Sequence, residues 1–197
     1  MIGLKTYLSR LASLLGQRGG WFMLYERQRA LAKEGLLKVV PGRGPGSGVR
    51  ADEEAVSVLL ISLLANDLLI HMGIVDIFCR LTSDQGKCPV TGAPTFQEAV
   101  QRILGDEELA GSVAGLSVRR SDPASAQIQF KKAGNKIIDS SFKMPIGYVP
   151  GKKTARKLEL SRVWSPPEAI EASYSVKPAI LQQIAKDIAK IKKDEPL

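Results

Sequence analysis

The residues of this chain best suited to chemistry are cations rather than catalytic groups. Arg18, Arg29, Lys33, Lys38, Arg43 and Arg50 crowd the first fifty residues, where nine Lys and Arg face only two acids, Glu26 and Glu34. Such a density suits phosphate neutralisation, and Arg also reads guanine edges with paired hydrogen bonds. Residues 51–116 reverse the balance, with ten acids against Arg80, Lys87 and Arg102. Residues 117–197 return to sixteen basic against eight acidic side chains. The formal net charge of +8 therefore favours an anionic partner, either nucleic acid or an anionic membrane surface.

Nucleophiles and metal ligands are sparse. His71 is the only histidine, and it stands in an apolar segment, which suits a core side chain better than a general base. Cys79 and Cys88 with His71 match no zinc-finger or ribbon spacing, and no fourth ligand is evident. The glycine run 42–48 lacks the Gly-Lys-Ser/Thr ending of a phosphate loop, and neither a dinucleotide fingerprint nor a Gly-x-Ser-x-Gly elbow occurs. The expectation is a protein that is not an enzyme and carries no cofactor or metal. Two cysteines make no disulfide framework and fit a reducing compartment. With no secretory leader read at Met1, a cytoplasmic location is expected.

The elements that must position the cations are helical. Leu4, Leu8, Leu11 and Leu15 recur at helical spacing, so residues 3–16 read as an amphipathic helix with Gly16 as its C-terminal cap. Gly19 and Gly20 hold a turn, and a second helix runs from Trp21 to Glu34, ended by Gly35. On its wheel Trp21, Leu24 and Leu31 face inward. Glu26, Arg29 and Lys33 face outward, with Phe22 near the N-terminal end. Arg27 and Gln28 fall on the flank, placed for either a base or a phosphate. Leu36–Val40 is apolar enough for a short strand. The segment Pro41-Gly42-Arg43-Gly44-Pro45-Gly46-Ser47-Gly48 forms neither helix nor central strand, which leaves an exposed arm, a wing tip or a linker.

Within Leu8–Leu37 the chain reads Leu-Ser-Arg-Leu-Ala-Ser-Leu-Leu-Gly, four linking residues, then a basic helix ending Leu-Ala-Lys-Glu-Gly-Leu-Leu. This resembles bacterial and phage helix-turn-helix regulators, including winged-helix forms, over residues 8–50. The resemblance implies a supporting helix, a recognition helix and a wing. It implies a sequence-specific transcriptional regulator that binds double-stranded DNA, as a homodimer on paired half-sites. The implied DNA contacts are Arg18, Phe22, Glu26, Arg29, Lys33, Lys38, Arg43 and Arg50. Arg18 and the helix N-terminus would take a phosphate. Arg43, loosely similar to an AT-hook arginine, would suit a narrow A·T-rich minor groove. The family's unit has a further helix before the supporting one. Here only residues 1–3 precede it, so residues 51–65 must supply the missing packing partner.

Downstream, Ala51-Asp52-Glu53-Glu54 reads as a helix start, and residues 55–65 and 68–81 are two apolar segments separated by Asn66 and Asp67. A bilayer span needs about twenty apolar residues, and Asp67 at mid-span would cost about 2.5–3.5 kcal/mol, so core helices or a dimer interface are expected and no membrane partner. Residues 83–94 form a loop, and Thr95 caps a helix to Leu104 with Glu98 completing a capping box. Period-two alternation marks strands at 126–130 and Leu158–Val163, and Lys136–Phe142 is also strand-like, with Ala133-Gly134-Asn135 as a turn. Lys143–Arg156 reads as a basic loop, where Lys152, Lys153, Arg156 and Lys157 offer a second phosphate contact. Pro178 opens a last helix to Lys193 with Ile180, Ile184, Ile188 and Ile191 on one face. The fold class expected is α+β: a helical domain over 1–106 (helix-turn-helix 3–37, basic arm 41–50, apolar helices 51–82), then a small antiparallel sheet with a C-terminal helix over 111–197. The second domain would dimerise, bind an effector or meet another protein. Two other readings stand beside DNA regulation: a phage-like assembly protein oligomerising through its apolar helices, and an RNA-binding protein using the basic C-terminal strands.

Overall fold

The computed structural model describes residues 2–16, 20–42, 47–65, 72–120, 124–134, 136–145 and 172–193. The architecture is α+β, with N-terminal helices, a five-stranded antiparallel sheet and a C-terminal helix. Helix α1 (Leu4–Leu14) buries Leu4, Tyr7, Leu8, Leu11 and Ala12, the stripe that a period of 3.6 aligns. It stops at Gly16, whose φ of +68° only glycine adopts readily. Helix α2 (Trp21–Lys33) closes in a Schellman motif. The Leu36 amide donates to Leu31 O at 2.9 Å and the Gly35 amide to Ala32 O at 3.1 Å, with Gly35 at φ +76°.

The stretch expected as a short strand at 36–40 narrows to one bridge. Val40 and Gly48 exchange hydrogen bonds of 2.9 and 2.8 Å, forming a hairpin neck around residues 41–47. The returning chain pairs Arg50 with Gly3, with the Leu4 amide on Val49 O at 2.7 Å and the Ala51 amide on Ile2 O at 3.1 Å. The hairpin thus leaves the body beside the start of α1. Arg43 lies outside the described residues.

Helix α3 (Glu53–Ala65) starts where Asp52 Oδ1 accepts from the Ala55 amide at 2.8 Å. Its residues are apolar around the whole circumference, and the helix is buried accordingly, packed by α2, by α4 (Met72–Cys79) and by the elements that follow. Ser57 and Ser62 are tolerated there because each hydroxyl donates to a carbonyl three residues back, Glu54 O and Leu59 O, both at 2.7 Å. Asn66, Asp67 and His71 lie outside the described residues.

Strand β1 (Thr82–Ser83) and a loop lead to helix α5 (Phe96–Gly105), where Thr95 Oγ1 accepts from the Glu98 amide at 3.3 Å. Helix α6 (Glu107–Ser112) occupies the stretch expected to separate two domains, and Asp106 caps it through bonds of 2.9 and 3.1 Å from the Glu108 and Leu109 amides. Strands β2 (Val113–Arg120), β3 (Ser125–Lys132), β4 (Lys136–Lys143) and β5 (Ala172–Val176) complete a sheet of order β1-β4-β3-β2-β5, antiparallel throughout. Leu116, Val118, Ala126, Ile128, Phe130 and Phe142 are buried, while Gln127, Gln129 and Asp139 lie at alternate, less buried positions. Helix α7 (Pro178–Lys192) starts with proline in its first turn and packs on α5 and α6, touching α1. The buried side chains of helices and sheet form one contiguous core. The strand expected at Leu158–Val163 and the cations Lys152, Lys153, Arg156 and Lys157 lie outside the described residues.

Candidate nucleic-acid interface

Helix α2 determines which first-fifty cations reach solvent. Its buried stripe is Leu24, Arg27, Gln28 and Leu31, at helical spacings of three and four. Two expectations are corrected here. Trp21, expected to pack inward, is 47% exposed, because the stripe that meets α1 and α3 begins one turn later at Leu24. Arg27 and Gln28, expected on the flank within reach of DNA, are buried. Arg27 Nη1 donates to Ser62 O at 2.7 Å, in the last turn of α3. The bond is charge-assisted and short, and it supplies the buried guanidinium with an acceptor in place of water. Gln28 Oε1 has no hydrogen-bond partner among the described residues.

The outward face of α2 carries Arg29 and Lys33, both exposed. Arg29 Nη1 reaches the Glu26 carboxylate at 3.1 and 3.5 Å, and its guanidinium lies 6.0 Å from the Tyr25 ring. Lys5 of α1 stands over the same ring at 5.0 Å. Glu26 therefore orients a neighbouring arginine rather than presenting a free carboxylate. Phe22 is 55% exposed and Met23 50%. Three consecutive large apolar residues sweep about 200° of a helix, so they cannot all face one core. That signal is present in the sequence; the exposed Met23, and Lys5 on the ring that Arg29 also meets, extend the surface marked by Phe22 and Arg29.

Past the Schellman turn, Lys38 is exposed and its Nζ pairs with Glu54 at 2.9 Å, which raises the lysine pKa above its ordinary value, chiefly through that hydrogen bond. Arg50 is exposed at the hairpin's return. Between hairpin and α3 lies a cleft of about 350 Å³ bordered by Leu36, Lys38, Val40, Val49, Arg50 and Glu54. Lys33 is the last residue of α2, Lys38 stands before the Val40–Gly48 bridge and Arg50 two residues after it. Arg18 and Arg43 lie outside the described residues.

A polar cluster around the buried Asp187 joins α1 to α7. Asp187, 1% exposed, accepts from Tyr7 Oη at 3.3 Å and from Arg10 Nε at 3.1 Å on one oxygen, and from Gln183 Nε2 at 3.0 Å on the other. Burial, then the Asp187 carboxylate, pushes the Tyr7 phenol far above its usual range. Both cysteines are free and buried. Burial pushes the Cys79 thiol up to about 12. Burial also pushes Cys88 upward, but the Ser140 and Thr91 side chains and the Thr91 and Val90 amides outweigh it, so its pKa lies below the ordinary value. Among the described residues no cluster of three His, Cys, Asp or Glu could hold a metal, and no helix is long and apolar enough to cross a membrane. Comparison with protein-family models, with curated proteins and with solved structures gives no significant match.

Proposed function

We propose that the chain binds double-stranded DNA through the outward face of α2 and the hairpin that follows it, acting as a dimeric, sequence-specific transcriptional regulator. The observation that carries this reading is the exposure of Arg29 and Lys33 on a helix that runs, after one Schellman turn, into a hairpin bearing Lys38 and Arg50 at its base. A helix presented in this way fits the major groove of B-DNA, and the hairpin would follow the neighbouring backbone. Binding is non-covalent. Cations displace counterions from phosphates, and side chains at the exposed end of α2 read base edges.

The two other readings draw less support. Assembly through apolar helices needs a free apolar face, whereas α3 spends its surface inside the chain. RNA recognition on the strands needs exposed aromatics; of the candidates Phe130, Phe142 and Trp164, the two phenylalanines are buried in the core and Trp164 lies outside the described residues. The test is a mobility shift on duplex fragments across a salt series, with the wild type, Arg29→Ala plus Lys33→Ala, and Arg43→Ala. Wild-type binding should fall steeply with salt, and the α2 variant should bind more weakly with a shallower slope. An unchanged α2 variant moves the site elsewhere, and no duplex binding at low salt ends the proposal.

A further inference from the structure

Trp21, Phe22 and Met23 place three large apolar side chains in water at the first turn of α2. Trp21 and Phe22 meet each other and Met23 flanks them on the helix, and exposed apolar surface of this kind marks a contact site. The cluster is ordered by its own rings: Trp21 meets Phe22 edge-on with centroids 6.2 Å apart, and Tyr25 lies 6.4 Å from Trp21. Its frame includes cations, with Lys5 and Arg29 on the Tyr25 ring and Lys33 one turn beyond. Arg29 follows Phe22 by seven residues, about 10 Å along the axis. An apolar tip with cations set back by that distance complements a surface whose rim is anionic and whose floor bears apolar groups. The major groove has this form: it is about 12 Å wide, walled by phosphates, and thymine C5-methyl groups project from its floor.

We infer that Phe22 and Met23 read thymine methyl groups in the major groove, so that the site prefers thymine-bearing duplexes. This rests on the duplex-binding reading above and adds to it the base feature recognised. Uracil isolates the effect, because it keeps the pairing edge and the O4 acceptor of thymine and lacks only the methyl group.

The experiment enriches binders from a random-sequence duplex pool with wild-type protein, then resynthesises the enriched duplex with deoxyuridine at every thymidine. Affinity should fall about fourfold for each contacted methyl. Phe22→Ala plus Met23→Ala, both at exposed positions, should bind the two duplexes equally. Equal wild-type affinity for both duplexes overturns the inference while leaving duplex binding intact. A ratio that survives in the variant comes from duplex shape and also overturns it. Tighter binding of the same sequence as a single strand, or a dimer that the variant dissolves, assigns the cluster to base stacking or to a second copy instead. No binding to either duplex removes the functional proposal and this inference together.

Discussion

Arg27 donates through Nη1 to the carbonyl oxygen of Ser62 at 2.7 Å, tying the middle of α2 to the last turn of α3. The bond fixes α2 against the most buried helix of the chain, so the orientation of the outward face depends on an inward arginine. Replacing Arg27 by Ala removes a charge-assisted bond from a buried acceptor and should cost about 2–3 kcal/mol. Urea unfolding followed by far-UV circular dichroism measures it. Arg27→Lys should recover only part of the loss, since an ammonium cannot match the planar fork. A loss no larger than that of an exposed surface substitution would show that the contact carries little.

The Asp187 cluster holds the two ends of the chain together. Tyr7→Phe removes one hydrogen bond of 3.3 Å from a carboxylate and should cost about 1–2 kcal/mol. Asp187→Ala should cost more, because Tyr7 Oη loses its acceptor inside the core and the half-buried Gln183 loses its own, while Arg10 can turn to solvent. The difference should appear in urea midpoints with unchanged slopes, as expected when only the native state is affected.

Alkaline pH should destabilise the fold in a defined window. Cys79 is raised from its ordinary 9.0 to about 12, first by burial and then by Asp76. Tyr7 is raised above its ordinary 10.0, first by burial and then by Asp187. In both cases the folded state holds the proton more tightly than the unfolded chain. The contribution is therefore fully present below pH 9 for Cys79 and below pH 10 for Tyr7, and it is lost as pH climbs towards each folded value. Stability against urea between pH 8 and pH 11 should fall in the wild type and fall less in Cys79→Ala, which lacks the thiol that opens the window.

Glu54 holds one of the candidate phosphate ligands in an ion pair with Lys38 at 2.9 Å. DNA must compete with that carboxylate for the ammonium. Glu54→Gln removes the competing charge and one source of repulsion, so duplex affinity should rise several-fold at low salt and the gain should shrink as salt is added. Fluorescence anisotropy on one duplex at several salt concentrations measures it. Combined with Lys38→Ala, Glu54→Gln should give a smaller gain, because only the relief of repulsion is then left.

The features that the sequence determined by itself are those set within a few residues along the chain. Gly16, Gly35, Thr95 and Pro178 bound their helices as their local chemistry requires, and the described ends of the Gly/Pro run, residues 41–42 and 47–48, stand outside the helices. The β3–β4 pair is legible from the alternation at 126–130, the strand-like stretch after it and Gly134 between them, which lies at φ +80°. The exposure of Arg29 and Lys33 also follows from the wheel. Tertiary structure decided the rest. Val113–Arg120 begins with small residues and signals no strand by itself, yet pairing with β3 on one side and β5 on the other makes it an inner strand. Arg27 reads as a surface cation until Ser62, 35 residues away, supplies its acceptor. Tyr7 and Asp187, 180 residues apart, read as unrelated polar positions in two amphipathic helices. The physical reason is common to all three. Caps and turns act through bonds to residues at most a few positions away, whereas strand pairing and buried charge depend on partners that only the folded chain brings within reach.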